Sequence, residues 1–289
     1  MANPADAVAE NVPGPFFVDS TCIDCDTCRQ IAPATFAETD DYSFVHRQPG
    51  TEAELRAAIH AQLACPTASI GGGDKPAVAE AVADFPLPIA HGVSYCGFTS
   101  KNSFGASSYF VEHPDGNWLI DSPRYVERLA REFESRGGIR HIFLTHRDDV
   151  ADAAKYAARF HSERIIHRHE LNAQPDAERI LDGLDPIPLA PDFLAIPTPG
   201  HTKGHCVLLY RNQFLFAGDH LWWSRNLARL NASRSVCWYN WPQHVESVAR
   251  LTRYQFEWLL PGHGERAHFD AAEMQTQLQS LIEALTPAP

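Results

Sequence analysis

No stretch of eighteen consecutive apolar residues occurs in the 289-residue chain, which leaves no candidate for a membrane-spanning helix. The N-terminus, Met1 to Glu10, has neither a basic start nor an apolar segment behind it, and it carries acids that transit peptides avoid, so no targeting signal is expected. Positive charge is short as well. Lys and Arg number 24 against 36 Asp and Glu, and the formal charge of -12 repels a phosphate backbone and argues against a nucleic-acid partner. The seven cysteines are an odd number and four fall into a metal-type spacing, which argues for a reducing compartment, taken as the cytoplasm, rather than a disulfide framework. What remains, 44% hydrophobic and 21% charged, is the composition of a globular protein that folds without lipid. The length suits a small domain plus one of about two hundred residues.

Cys22, Cys25 and Cys28 form a C-x2-C-x2-C run, and Cys65-Pro66 supplies a fourth thiolate after a helical stretch around Ala53 to Leu63. Four thiolates suit one cubane cluster: two-residue gaps let a tight loop wrap three iron corners with its N–H groups aimed at the sulfides, and the remote cysteine closes the fourth. The same thiols also suit tetrahedral zinc, but zinc sites usually come as two C-x2-C pairs, so this spacing favours iron–sulfur. From Phe17 to Ile70 the sequence resembles single-cluster bacterial-type ferredoxins, and Ala32 stands where two-cluster members place the cysteine of their second cluster. The resemblance implies one [4Fe-4S] cluster on Cys22, Cys25, Cys28 and Cys65. Gly71-Gly72-Gly73-Asp74, followed by Lys75-Pro76, reads as a linker.

Beyond Pro76 short strands alternate with helices, which predicts layered packing. Ser107 to Val111 and Trp118 to Asp121 flank a His113-Pro114-Asp115-Gly116 turn, and Arg124 to Arg136 reads as an amphipathic helix stopped by Gly137-Gly138. Four apolar strands then run directly into loops bearing His or Asp. Arg140 to Leu144 leads to Thr145-His146-Arg147-Asp148-Asp149, and Phe193 to Ile196 leads to Pro199-Gly200-His201-Thr202-Lys203-Gly204-His205. Phe214 to Phe216 leads to Ala217-Gly218-Asp219, and Trp258 to Leu260 leads to Pro261-Gly262-His263-Gly264. Ligands at strand ends are held by a rigid sheet, while neighbouring glycines let backbone approach an ion.

In these four loops, in this order, the chain resembles the metallo-β-lactamase fold, over about Ile89 to His268. The expected protein is therefore α+β: a ferredoxin-like domain with its linker over residues 1–75, then a four-layer αββα metallo-β-lactamase fold over 76–289. The resemblance implies His146, His201, Asp219 and His263 as metal ligands, with Asp219 bridging. The departure lies in the first motif, H-x-H-x-D-H in most members, whose register here reads His146, Asp148, Val150 and Ala151. Without a gap, His146, Asp148, His201 and Asp219 make one complete site resembling the His-x-carboxylate pattern of flavodiiron proteins. With a two-residue gap, Asp152 joins Asp219 and His263 on a second metal. One or two iron or zinc ions follow. Asp148, Asp149 and Asp152 also suit helix capping, since Val150 to Phe160 looks helical.

His205 reads as a loop-orienting residue, His167 and His169 as loop polar groups, and Cys206 as a buried inert thiol, while Cys96 and Cys237 carry no assignment. Trp222, Trp223, Trp238, Tyr239 and Trp241 either line an apolar pocket or fill core, and Lys203, Arg225 and Arg234 either hold an anion or are solvated.

Three functional classes are compatible. The first is a redox metalloenzyme, because a fused cluster moves single electrons and a metal on His146, Asp148, His201 and Asp219 can take dioxygen, nitric oxide or an oxidisable ligand. The second is a metal-dependent hydrolase with Asp148, Asp149 or Asp152 as base and the cluster structural or regulatory. The third is a non-catalytic electron carrier whose lactamase-like domain docks a partner. Expected partners are a small-molecule substrate and a redox partner protein.

Overall fold

The computed structural model describes residues 2–286. The chain divides into two compact units, one ending at Arg140 and including Ala151–His161, the other combining His141–Val150 with the chain from Ser162 onward.

In that unit, the short strands Phe17–Val18 and Ile70–Gly71 pair antiparallel and close the ends of the cysteine-bearing segment. Between them come the helix Thr27–Ile31, a hairpin of Phe36–Glu38 with Ser43–Val45, and the helix Glu52–Ala64. That last helix starts where Thr51 accepts a hydrogen bond from Glu54 N–H, satisfying one of the donors a helix leaves open. Phe16, Val18, Phe36, Val45, Ile59 and Ile70 form its core. The glycine stretch read as a linker is tied down. Gly71 pairs with Phe17, Gly73 N–H donates to Gln62 Oε1 at 3.2 Å, and Asp74 caps the helix Lys75–Ala81.

Four strands follow as an antiparallel meander, Leu87–Ala90, Val93–Tyr95, Tyr109–Val111 and Trp118–Ile120. The helix predicted from Arg124 begins only at Glu127. Its expected first turn is pulled out of register because Arg124 N–H bonds Phe98 carbonyl at 2.9 Å and Tyr125 N–H bonds Asp152 at 2.7 Å. Phe133 still lands as expected, stacked on Phe110 at 4.6 Å.

The second unit holds three parallel strands, His141–Phe143, Glu163–His167 and Arg179–Leu181, and a six-stranded sheet. In the latter, Ile187–Ala190, Phe193–Pro197, Cys206–Tyr210 and Phe214–Gly218 run antiparallel, then Trp258–Pro261 joins parallel to Phe214–Gly218 and Ala267–His268 closes the edge. Every residue of Cys206–Tyr210 and Phe214–Gly218 is buried, as continuous apolar runs require. The helices Trp241–Leu251 and Ala271–Leu285 supply Val248, Leu251, Met274 and Leu278 to the core against Val207, Leu209 and Leu215. His146, His201, Asp219 and His263 all follow the ends of strands in this unit.

Candidate functional site

The four motif cysteines line one pocket together with Val18, Thr27 and Ile70, and none is in a disulfide. Cys28 and Cys65 are buried, while Cys22 and Cys25 are half-buried. The loop reaches this arrangement through left-handed residues at Asp24 (φ 55°) and Asp26 (φ 65°), and Arg29 braces both, 2.6 Å from Asp24 and 2.7 Å from Asp26. Burial pushes the Cys25 thiol up to about 11, with Cys65 and Cys22 adding to the rise, and holds Cys28 well above the ordinary thiol value. The raised Cys25 and Cys28 thiols ionise only with a cationic metal beside them, so the donor set fits an iron–sulfur cluster.

The second site grows from strand ends. His146 Nε2 and His201 Nε2 each lie 3.7 Å from Asp148 Oδ2 and 3.7 Å from Asp219 Oδ2. Ligands at about 2.1 Å from a tetrahedral ion stand about 3.4 Å apart, so each of these four contacts is close to ligand spacing, and His146, Asp148 and His201 place their ligand atoms within 4.8 Å of one another. Both imidazoles are buried, and both Nε2 atoms lack a hydrogen-bond partner. Their other nitrogens are engaged: His201 Nδ1–H donates to the Val236 carbonyl at 2.6 Å, and His146 Nδ1 lies 3.0 Å from Thr145 Oγ1. A fixed Nδ1 bond sets the ring and presents the Nε2 lone pair, as metal-binding histidines require.

Electrostatics agree with a cation site. Burial pushes His146 down to about 4, although Asp219 opposes it. Burial raises Asp219, yet the charge and hydrogen bond of His263, with His146 and His201 behind it, outweigh that and hold the carboxyl well below the usual carboxylate range. Asp148 is held low by the approach of His201.

Asp149 and His263 gather on the other side of Asp219. His263 Nδ1 bonds Asp219 Oδ1 at 2.8 Å, and His146, Asp149 and Asp219 each place a ligand atom within 4.8 Å of the others. Gly262 makes this possible. A Cβ there would stand 2.6 Å from Asp149 Oδ2 and 2.7 Å from Asp219 Oδ1. Asp152, by contrast, commits its carboxylate to Tyr125 N–H and to Lys155 Nζ, 2.9 Å away.

The structure adds residues that carry no motif. Glu170, fully buried, accepts Gly204 N–H at 2.5 Å and Arg147 N–H at 3.3 Å, so one carboxylate ties the His146 loop to the His201 loop. Behind the site, the buried rings of His205, His220 and His244 form a row with centroids 5.4 and 4.2 Å apart, ending on Trp241. His205 Nδ1 meets Thr198 Oγ1 at 2.9 Å, in the orienting role expected of it. His167 bonds the Gly183 carbonyl through Nε2 and receives His169 N–H at Nδ1.

The remaining candidates separate by environment. Cys206 is fully buried with its thiol pushed up by burial, Cys96 is pushed up to about 12, and Cys237 bonds the Gly200 carbonyl at 3.0 Å. Trp223 packs on Phe269, whereas Trp238 is 62% exposed and sets its edge toward His201 at 6.1 Å. Arg225 pairs with Glu265. Lys203 is exposed and lines a cleft of about 630 Å³ with His169, Tyr239, Gln243 and Glu246. No helix is long and apolar enough to cross a membrane among the described residues.

Residues 18–72 match the 4Fe-4S single cluster domain of Ferredoxin I. No curated protein matches the chain in sequence. Among solved structures, BLEG-1 B3 metallo-β-lactamase superposes with a TM-score of 0.52 at 15% identity, covering 68% of this chain and 100% of that one. DIM-1 metallo-β-lactamase does so with a TM-score of 0.50 at 18% identity, covering 69% and 96%. At such identities the likeness is one of fold. The chain thus joins a single-cluster 4Fe-4S ferredoxin domain to the metallo-β-lactamase fold.

Proposed function

We propose that the protein is an oxidoreductase in which the four-cysteine cluster exchanges single electrons with a non-haem iron held by His146, Asp148, His201 and Asp219. The observation that carries this reading is the donor set, two buried imidazole nitrogens each 3.7 Å from two carboxylate oxygens, in the same chain as a cluster domain. Two imidazoles with carboxylates suit iron, while sets richer in histidine and thiolate favour zinc. Iron held there would supply one-electron chemistry, for which hydrolysis has no need. The chain's own contribution is positional: Val236 fixes His201, and Glu170 holds two ligand loops in register. Lys203 offers a cation to a small anionic substrate, and a redox partner protein reloads the cluster.

A second reading is supported by Asp149. Its carboxylate is buried beside Asp219 over Gly262, where it can take a proton from a metal-bound water, as a hydrolase needs. The two named structural neighbours are themselves metallo-β-lactamases.

Rapid mixing separates the readings. Anaerobically reduced wild type, mixed with dioxygen or nitric oxide, reoxidises its cluster faster than a His201→Ala variant that retains the cluster. Equal rates in the two proteins would overturn the redox reading, and a zinc-dependent esterase activity lost with His201 would establish the second.

A further inference from the structure

We propose that Arg124 is a positioning residue for the cluster's electron, a fixed cation that raises the reduction potential of the centre held by Cys22, Cys25, Cys28 and Cys65. It lies outside the segment that matches the ferredoxin family, residues 18–72, yet its side chain reaches back to that segment's last cysteine. Arg124 Nη1 donates to the Cys65 carbonyl at 3.1 Å and to the Thr99 carbonyl at 2.9 Å, and Nη2 donates to the Leu63 carbonyl at 2.9 Å. The guanidinium carbon sits 5.5 Å over the Phe98 ring. Its backbone is fixed too, through N–H to the Phe98 carbonyl at 2.9 Å and through its own carbonyl to the Tyr156 hydroxyl at 3.1 Å.

The group is unusual in what it lacks. No carboxylate pairs with it among the described residues; the titratable neighbours that act on it are the Cys65 thiol and the phenols of Tyr156 and Tyr95, and burial draws its pKa below the ordinary guanidinium value. Arg29, the other arginine at the cysteine loop, is paired with Asp24 and Asp26 and acts on Cys28. Arg124 is therefore a cation beside Cys65 that is held by three carbonyl dipoles rather than by an anion. A guanidinium stays protonated throughout the accessible pH range. Reduction adds negative charge to an already anionic cluster and its thiolates, and a fixed, partly buried cation beside Cys65 stabilises the reduced state more than the oxidised one.

This inference rests on the cluster and not on the chemistry proposed at His146 and His201. The experiment is an EPR-monitored redox titration of the full-length protein, with iron counted in every sample, comparing wild type, Arg124→Gln and Arg124→Lys. The glutamine variant with its iron intact shifts to a more negative midpoint potential, and the lysine variant returns toward wild type. An Arg124→Gln protein that keeps its iron and titrates with wild type overturns the proposal. Should the glutamine variant lose its iron, Arg124→Lys decides: a cluster retained at the wild-type potential supports the role of the charge, and a lost cluster or a shifted potential assigns Arg124 to the carbonyl clamp alone and overturns it.

Discussion

Replacing Gly262 by alanine tests the site at its tightest point. Gly262 has no left-handed backbone, so alanine brings no conformational penalty there, only one methyl group. That methyl would lie 2.6 Å from Asp149 Oδ2 and 2.7 Å from Asp219 Oδ1, well inside van der Waals contact, and both carboxylates must retreat by several tenths of an ångström. Overpacking of this kind costs about 1–3 kcal/mol in the metal-free protein. Displacing ligands and their supports typically weakens metal affinity by about 10–100-fold, which adds roughly 1.4–2.8 kcal/mol of lost stabilisation when metal is in excess. Urea denaturation of metal-free and metal-loaded protein, together with chelator competition, reads the two effects separately. Gly50→Ala is the control, since a Cβ there meets nothing closer than 3.6 Å and its effect should stay within about 0.5 kcal/mol. A Gly262→Ala protein that binds metal with wild-type affinity would refute the convergence of Asp149 and Asp219 on a cation.

Glu170→Ala leaves the N–H groups of Gly204 and Arg147 without their acceptor, at about 1–3 kcal/mol for each that stays buried, and it loosens two ligand loops at once; urea unfolding reads the first effect and chelator competition the second. Stability also depends on pH through His244, whose pKa burial lowers from 6.5 to about 4. Because the unfolded chain protonates first, stability from this group is full above pH 6.5, falls by about 3 kcal/mol as pH drops toward 4, and levels off below that. A His244→Gln variant should show a shallower decline in urea midpoints over the same window.

The cysteine site was legible because its signal is local: three cysteines at fixed gaps and one Cys-Pro can be recognised without knowing how the chain folds. The strand-end positions were legible for a related reason, since His146, His201, Asp219 and His263 each follow an apolar run with a glycine or turn beside it. What sequence left open was register. Asp148 and Asp152 carry the same side chain four positions apart, and only the three-dimensional path shows Asp148 reaching both imidazoles while Asp152 holds Tyr125 N–H. Residues that act across long separations carried no signal at all. Glu170 bridges two loops, His220 and His244 join a ring row from different elements, and Arg124 sat inside a predicted helix whose first turn does not form. The sequence does not show that Gly71 to Asp74 is tied down by backbone contacts, since small residues mark both linkers and close packing.

The most direct test of the central claim is elemental analysis with EPR on anaerobically purified protein, comparing wild type with Cys25→Ala and His201→Ala. The expected result is about four iron atoms lost with Cys25 and a further iron lost with His201, each loss leaving the other site filled. Zinc in place of that further iron, or no metal beyond the cluster in wild type, would contradict the redox account.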